Sequence, residues 1–290
     1  MVVQSVPAFV EKIIVVDDAS KDKTFQTVSL LKNPRVVLLQ HEENRGVGGA
    51  MLTGYAEAAK LGMDIFVKMD GDGQMRPEHM AALVAPLAEG RADYAKGNRF
   101  TDFKTIIQMP RLRRFGNAWL SFFVKMVSGY WNIFDVTNGY TALSAAMYRK
   151  MDLKSLSRGY FFETSMLIEL NTNEARVADV HMPAVYEDEE SHLRVGKVVS
   201  LFPFLMLSGF MRRFYRRYML KDFNVLSVCF LIGLPLFLFG FAYGVSIWIH
   251  PPVYGQPTPA GTVMLAALPI ILGFQLLLAA LILDVVSVPK

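Results

Sequence analysis

The chain has 290 residues, of which 52% are hydrophobic and 19% are charged, and its formal net charge is +4. Its single cysteine, Cys229, excludes an intrachain disulfide. The N-terminal residues lack a basic start followed by a long apolar stretch, so we do not expect a signal peptide. The basic residues are concentrated at 211–221, which favours a membrane surface over nucleic acid as a partner.

The first 195 residues are predicted to form an α/β domain. Short apolar segments rich in β-branched residues predict strands at 12–18, 35–41 and 64–70. Helices are predicted between and after them, at about 22–32, 48–61 and 77–89. This alternation favours a parallel sheet with helices on both faces, in which ligands bind beyond the carboxyl ends of the strands.

Two later segments combine arginine with tryptophan or phenylalanine, at 111–131 and 196–221. This composition is typical of amphipathic helices that lie in the membrane interface. Ordinary packing helices with basic outer faces are the alternative. We favour the interfacial interpretation more for 196–221, because this segment leads directly into a long apolar region.

The C-terminal region is predicted to form a transmembrane hairpin. From Phe223 to Leu283 the sequence has no Asp, Glu, Lys or Arg, which is enough for two spans, at about 224–249 and 262–285. The basic segment before the first span and Lys290 after the second place both ends in the cytoplasm by the positive-inside rule. The predicted organisation is an α/β domain, a juxtamembrane amphipathic helix and a two-span hairpin, with ranges 1–195, 196–222 and 223–290.

The strand predicted at 64–70 ends on two carboxylates, Asp70 and Asp72, which are separated and followed by glycines. In an extended Asp-x-Asp segment both side chains project to the same side. Carboxylates at the end of an apolar strand require a cation, and Mg²⁺ or Mn²⁺ takes such oxygen ligands together with substrate phosphates. We therefore predict a metal site formed by Asp70, Asp72 and the amide oxygen of Gln74 that carries a nucleotide diphosphate. A tight turn without metal is the alternative.

The first predicted strand also ends on carboxylates, Asp17 and Asp18. Adjacent carboxylates at a strand end suit hydrogen bonds to a base N–H and a ribose hydroxyl. Ser20 or Asp22 can also accept backbone N–H bonds at the start of the next helix. The segment 44–50, "NRGVGGA", opens a helix with three glycines, which on its own is a weak signal for a backbone that approaches phosphate or base.

Taken together, "VVDDASKDKT", "NRGVGGA" and "DGDGQ" resemble glycosyltransferase family 2 in order and spacing. The segments "GNRF", "DVTNGYTALS", "GYFFETSMLIEL" and "YEDEESHLRVGKVV" resemble the downstream elements of its polyprenyl-phosphate branch, which includes dolichol-phosphate mannose synthase. The resemblance covers nearly the whole chain. It implies a Rossmann-like nucleotide-sugar-binding domain of the GT-A fold, in an integral membrane protein of a prokaryotic plasma membrane whose catalytic domain is cytoplasmic.

The same resemblance assigns roles to individual residues. Asp70, Asp72 and Arg99 are implied to be catalytic. The implied nucleotide-binding residues are Asp17, Asp18, Ser20, Asn44, Arg45 and Gly46. The implied metal ligands are Asp70, Asp72 and Gln74, with Mg²⁺ or Mn²⁺ as the cofactor. The residues implied to contact the acceptor or phosphate are Arg99, Asn138, Glu163, Arg194 and Lys197. His192 is interpreted as a loop residue and not as a base.

The implied reaction transfers a hexose from GDP-mannose or a UDP-hexose to dolichyl or undecaprenyl phosphate at the membrane, without nucleic acid. The acceptor phosphate is already ionised near pH 7, so no strong general base is needed. Transfer is then a single in-line displacement with inversion, in which the protein supplies position and charge stabilisation.

The sequence departs from the family at its start. Only 16 residues precede Asp17, and we expect the first strand of the family fold and most of its helix to be absent. Such an absence would leave neighbouring strands unpaired, and we expect the natural protein to begin further upstream. Two alternatives stay open: a family 2 enzyme with another lipid or glycan acceptor, and a non-catalytic, degenerate transferase. A nucleotidyltransferase would also use paired aspartates, but it would not explain the hairpin.

Overall fold

A computed structural model describes residues 2–99, 111–182, 195–250 and 258–290. The chain divides into two compact units, residues 1–213 with the last two residues, and residues 214–288. In the first half of the α/β unit the elements are α1 (Val2–Ser5), β1 (Ile13–Asp17), α2 (Thr24–Ser29), β2 (Val36–Gln40), α3 (Gly46–Lys60) and β3 (Ile65–Lys68). The strands agree with prediction to within two residues at each end.

The elements that follow in this unit are a 3₁₀ turn (Pro77–His79), α4 (Met80–Ala88), β4 (Tyr94–Asn98), α5 (Arg111–Ser128), β5 (Thr141–Ser144), α6 (Ala145–Tyr148), a second 3₁₀ turn (Leu153–Ser155), α7 (Phe162–Thr172), β6 (Val177–His181) and α8 (Val195–Phe214). Helix α2 is shorter than predicted. The side chain of Asp22 accepts a hydrogen bond from Thr24 N at its start, at 2.9 Å.

The described strands form two sheets. Strands β1 and β2 pair in parallel, and the second sheet has the order β3-β5-β4-β6. In that sheet β4 and β6 are parallel, but β5 is antiparallel to both β3 and β4. The expectation of a wholly parallel sheet is therefore wrong, because β5 inserts in the opposite direction between two strands that precede it in the chain.

The core of the α/β unit lies between the second sheet and the helices packed on it. One cluster joins Leu83 and Leu87 of α4 to Ala95 of β4 and Ala142 of β5. Helix α7 is buried along its whole length apart from Glu163 and carries Leu167 and Ile168, which have no solvent exposure. The elements β3, β4 and α7 each supply a charged residue to the candidate site, and these residues pair with one another.

The second unit contains a π-helical segment (Tyr215–Lys221), α9 (Val225–Ile249) and α10 (Ala260–Val286). By length and composition, α9 and α10 are able to cross a membrane, and both coincide closely with the predicted spans. They pack against each other through glycines, since a Cβ on Gly240 would lie 2.8 Å from Ala266 O. Tyr218 donates a hydrogen bond to Asp284 Oδ1 at 2.5 Å, which joins the two ends of the hairpin.

Candidate active site

The end of β1 presents a buried carboxylate with one oxygen available. Asp17 is 3% exposed and lies opposite Gln40 in the register of β1 and β2. Gln40 Nε2 donates to Asp17 Oδ2 at 3.1 Å. Within the described part of the chain, Asp17 Oδ1 has no hydrogen-bond partner. A buried acceptor without a donor is costly, so this oxygen is suited to a donor supplied by a ligand.

The neighbouring carboxylate of Asp18 has several partners from its own chain. Arg45 N donates to Asp18 Oδ1 and Gly46 N to Asp18 Oδ2, both at 2.8 Å, at the N-terminus of α3. His41 Nδ1 lies 2.6 Å from Asp18 Oδ1. Burial alone would raise the pKa of Asp18, but the bonds to His41, Arg45 and Gly46 lower it below its ordinary value. Asp18 thus ties β1 to the start of α3.

His41 is a residue of this region that the sequence analysis missed. It follows β2 directly, is buried, and its Nε2 lies 2.9 Å from the hydroxyl of Thr53 in α3. A polar residue directly after an apolar strand is the same signal that identified Asp17, and it was available in the sequence. His41 also forms part of an open, polar cleft of about 390 Å³, which is lined by Ala19, Ser20, Gln40, His41 and Glu42.

The glycines of "NRGVGGA" allow close packing of the start of α3 on a later loop. Gly46 has a φ of +76°, and a Cβ there would lie 2.7 Å from Arg158 O. A Cβ on Gly48 would lie 2.2 Å from Ser157 O, and Gly48 N donates to Arg158 O at 2.9 Å. Asn44 Nδ2 donates to Asp18 O at 3.3 Å. Asn44, Arg45 and Gly46 are therefore grouped around Asp18, and their common role in nucleotide binding stays a prediction.

The two aspartates after β3 have different surroundings. Asp72 is exposed, and its Oδ1 accepts from Gln74 N at 3.0 Å, with Gly73 at a φ of +86°. This local bond forms the tight turn that the sequence analysis kept as an alternative. Asp70 is half-buried, and its Oδ1 lies 3.2 Å from Lys68 Nζ. The cation next to Asp70 among the described residues is thus a lysine of the same strand.

Lys68, which the sequence analysis missed, belongs to a buried group of charges that includes the predicted Glu163. Its side chain is 4% exposed, and its Nζ lies 3.1 Å from Glu163 Oε1 at the start of α7. The other oxygen of Glu163 lies 3.7 Å from Nζ of Lys96, which is fully buried in β4. Alternation along β3 places Lys68 on the same face as the buried Phe66, and this was the available signal.

The pKa values of these groups reflect both burial and charge. Burial lowers the pKa of Lys68, but the charges of Glu163 and Asp70 raise it by more than burial lowers it. The pKa therefore lies above its ordinary value, and the ammonium remains charged. Burial also lowers the pKa of Lys96, which Glu163 and Asp135 only partly offset. Burial and the charge of Glu163 raise the pKa of Tyr94 well above its ordinary value, so this buried phenol stays neutral.

The predicted acceptor residues connect to the same group. Lys96 Nζ donates to Asn138 O, and Asn138 N donates to Asp135 Oδ1 at 3.1 Å. The fully buried Asp135 also pairs with Arg99, whose Nε lies 2.7 Å from Asp135 Oδ2. A continuous chain of contacts therefore joins Asp70, Glu163, Asn138 and Arg99. Arg194 lies outside the described residues, as does His192, and for Lys197 only the backbone position in α8 is described.

The residues at the end of β3 fit a hard divalent cation. Among the described residues no group of three or more His, Cys, Asp or Glu side chains is placed to hold a metal. Mg²⁺ and Mn²⁺ sites of nucleotide enzymes characteristically use one or two carboxylates, with the remaining ligands from phosphates and water. The exposed Asp72 and the half-buried Asp70 provide such a limited set of oxygen donors.

The sequence defines the family of this chain. Residues 3–152, slightly more than half of the chain, match the family described as Glycosyl transferase family 2. The chain belongs to glycosyltransferase family 2, and it is a glycosyltransferase. This agrees with the resemblance carried by its aspartate motifs.

Several relatives are named as transferases that act on polyprenyl phosphates. A UDP-N-acetylglucosamine–dolichyl-phosphate N-acetylglucosaminyltransferase of Methanococcus voltae is 31% identical over 231 residues, which cover 75% of this chain and 88% of that protein. An undecaprenyl-phosphate mannosyltransferase of Micrococcus luteus is 30% identical over 191 residues, covering 65% and 77% of the two chains. The relatives thus share an acceptor class and differ in the sugar.

A solved structure shows the same fold. Glucosyl-3-phosphoglycerate synthase from Mycobacterium tuberculosis aligns with a TM-score of 0.51 and 20% identity, over 72% of this chain and 73% of that one. The GT-A fold expected from the sequence is confirmed by this likeness. One structure of that enzyme contains Mn²⁺, uridine-diphosphate-glucose and phosphoglyceric acid.

Proposed function

We propose that this protein transfers a hexose from a nucleotide sugar, GDP-mannose or a UDP-hexose, to a polyprenyl phosphate such as dolichyl or undecaprenyl phosphate. The observation that carries the proposal is the chain of contacts from Asp70 through Lys68, Glu163 and Lys96 to Asn138, because it joins the end of β3 to the segment expected to meet the acceptor. The names of the relatives support a polyprenyl phosphate as the acceptor class.

The nucleotide is proposed to bind beyond the ends of β1 and β2. Asp17 Oδ1 would accept a hydrogen bond from the base, and Ser20 is an exposed hydroxyl of the adjoining cleft. Asp18 would contribute to nucleotide binding indirectly, because it hydrogen-bonds to Asn44, Arg45 and Gly46 at the start of α3. The support for this placement is the buried carboxylate of Asp17, one oxygen of which has no partner among the described residues.

The diphosphate is proposed to bind with Mg²⁺ or Mn²⁺ at Asp70, Asp72 and Gln74. When bound, this ion would stabilise the negative charge that develops on the leaving diphosphate. Asp70 and Asp72 are the most important of these proposed metal ligands. Arg99 would contribute positive charge near the acceptor phosphate. Asn138 and Glu163 would shape the acceptor side, together with Arg194 and Lys197 near the membrane.

The proposed transfer is a single displacement. An ionised oxygen of the acceptor phosphate attacks the anomeric carbon while the bond from that carbon to the diphosphate oxygen breaks, so the configuration inverts. The electron pair of the broken bond leaves with the nucleoside diphosphate, and no proton has to be removed from the nucleophile. The role of the protein is to align the two phosphates and to exclude water.

The membrane is proposed to deliver the acceptor. On α5 the exposed Trp119 contacts the exposed Phe115 and Phe122, and α8 exposes Leu201, Phe204 and Leu207. Such surfaces suit the membrane interface. The proposed domains are a GT-A domain at 1–195, an amphipathic helix at 196–222 and a hairpin at 223–290. In a prokaryotic plasma membrane, the positive-inside rule would place the catalytic domain in the cytoplasm.

A transfer assay tests the acceptor. Membranes containing the protein receive labelled GDP-mannose, UDP-glucose or UDP-N-acetylglucosamine with Mg²⁺ or Mn²⁺, with either polyprenyl phosphate or the unphosphorylated polyprenol. We expect label to enter the organic phase only with the phosphate and with one of these donors. Label on the unphosphorylated alcohol or on a water-soluble glycan would contradict the acceptor, and binding of the donor without turnover would favour a degenerate transferase.

A further inference from the structure

The ammonium of Lys68 occupies the immediate surroundings of a proposed metal ligand. Lys68 Nζ lies 3.2 Å from Asp70 Oδ1 and 3.5 Å from Asp70 Oδ2, so it contacts both carboxylate oxygens. A lysine in this position provides the counter-charge that the end of β3 requires. A divalent ion on Asp70 would therefore be bound beside an existing positive charge.

Lys68 is also held in this position by Glu163, in space that the absence of a side chain at Gly139 leaves open. Glu163 Oε1 lies 3.1 Å from its Nζ, and the side chain is 4% exposed. Gly139 lies directly beside it, because a Cβ on Gly139 would be 2.3 Å from Lys68 Nζ and 3.2 Å from Asp70 Oδ2. Because Glu163 pairs with the ammonium independently of Asp70, we expect the ammonium to stay in place when Asp70 binds another cation.

Charge balance then depends on the nucleotide. Without it, Lys68 and Lys96 together balance the charges of Asp70 and Glu163, and a divalent ion on Asp70 adds like charge at short range from the buried ammonium of Lys68. A nucleotide diphosphate brings several negative charges to the same place. Metal and diphosphate together restore the balance, whereas the metal alone does not.

We propose that Lys68 is a resident cation that weakens divalent-ion binding at Asp70 and Asp72 until a nucleotide diphosphate is present. This inference rests on the proposed function, since it assumes that this strand end holds the metal. Lys68 is thus a positioning residue, which acts through Asp70 and makes the metal and the nucleotide bind as a unit.

The test measures Mn²⁺ binding by isothermal titration calorimetry on the full chain in detergent, alone and with saturating UDP or GDP. We expect the wild-type protein to bind Mn²⁺ at least tenfold more tightly with nucleotide. Lys68→Gln should bind Mn²⁺ alone at least tenfold more tightly than the wild type, and Lys68→Arg should keep wild-type behaviour. Lys60→Gln is the matched control, because Lys60 is an exposed lysine that pairs only loosely with Glu57, at 3.4 Å.

Three outcomes would overturn the inference. Equal Mn²⁺ affinity of the wild type with and without nucleotide would do so without any variant, and so would a folded Lys68→Gln protein that binds Mn²⁺ no more tightly than the wild type. Mn²⁺ binding to none of the proteins, even with nucleotide, would overturn the proposed metal site as well. In the first two cases the metal site would survive and only the role of Lys68 would fail.

Discussion

The ends of β1 and β3 both carry two aspartates, yet the partners of these aspartates differ. At β1, Asp18 accepts hydrogen bonds from two backbone N–H groups and contacts His41, so both of its carboxylate oxygens have partners from the same chain. At β3, Asp70 contacts a lysine side chain, and Asp72 is exposed. Backbone hydrogen bonds are part of the helix start, whereas a side-chain ion pair exchanges partners more readily.

We propose from this comparison a division between carboxylates that build the structure and carboxylates that serve ligands. Asp18 would belong to the first kind, and Asp70 and Asp72 to the second. Asp17 is intermediate, since one of its oxygens binds Gln40 and the other has no partner in the part of the chain that is described.

The largest effect is expected for Asp72→Ala. Transfer to polyprenyl phosphate should fall at least about 100-fold, the scale observed when one charge-stabilising group is removed from an active site. The unfolding midpoint should stay close to that of the wild type, because Asp72 is exposed and makes one local bond to Gln74 N. The assay is organic-phase label in membranes, with circular dichroism as the control for folding. Near-normal transfer would remove Asp72 from the metal site.

The second effect is on stability. Asp18→Ala should lower the free energy of unfolding by about 2–3 kcal/mol, since it removes the acceptor for two N–H groups of α3 and the partner of the buried His41. Chemical denaturation of the full chain in detergent measures this. A loss of nucleotide binding without any loss of stability would show that Asp18 is a ligand residue, contrary to the division proposed.

A smaller effect is expected for Asp17→Asn. The amide places a donor where Asp17 Oδ1 offers an acceptor, so the Kd for UDP or GDP should rise about tenfold, which is about 1.4 kcal/mol. Stability should change little, because the bond to Gln40 can be kept. Calorimetry with each nucleotide is the measurement. Unchanged affinity for both nucleotides would place the base elsewhere.

The smallest effect concerns pH. The pKa of Asp18 is lowered in the folded state, through its bonds to His41, Arg45 and Gly46, which outweigh the effect of burial. Its contribution to stability is therefore complete above its ordinary pKa of 3.8 and is lost as the pH falls through the lower folded value. Denaturation between about pH 5 and pH 3 should show a shallower decline for Asp18→Asn than for the wild type. Identical slopes would mean that Asp18 is not stabilised as an anion.

The sequence predicted the first three strands, the two long apolar helices and the family because these depend on local composition and on motifs. It did not predict the antiparallel β5, whose direction depends on where a long connection returns to the sheet. The divalent ion inferred at the end of β3 stays a prediction, and among the described residues the cation beside Asp70 is Lys68. Lys68 and Lys96 were overlooked because lysine is usually exposed, and their burial depends on Glu163, which is distant in sequence.

The most direct test of the central claim is the metal dependence of transfer in membranes that contain the wild-type protein, a labelled nucleotide sugar and polyprenyl phosphate. We expect a chelator to abolish label in the organic phase and added Mg²⁺ or Mn²⁺ to restore it. Undiminished label after complete chelation would contradict the assignment of Asp70 and Asp72 as carriers of a metal-bound diphosphate.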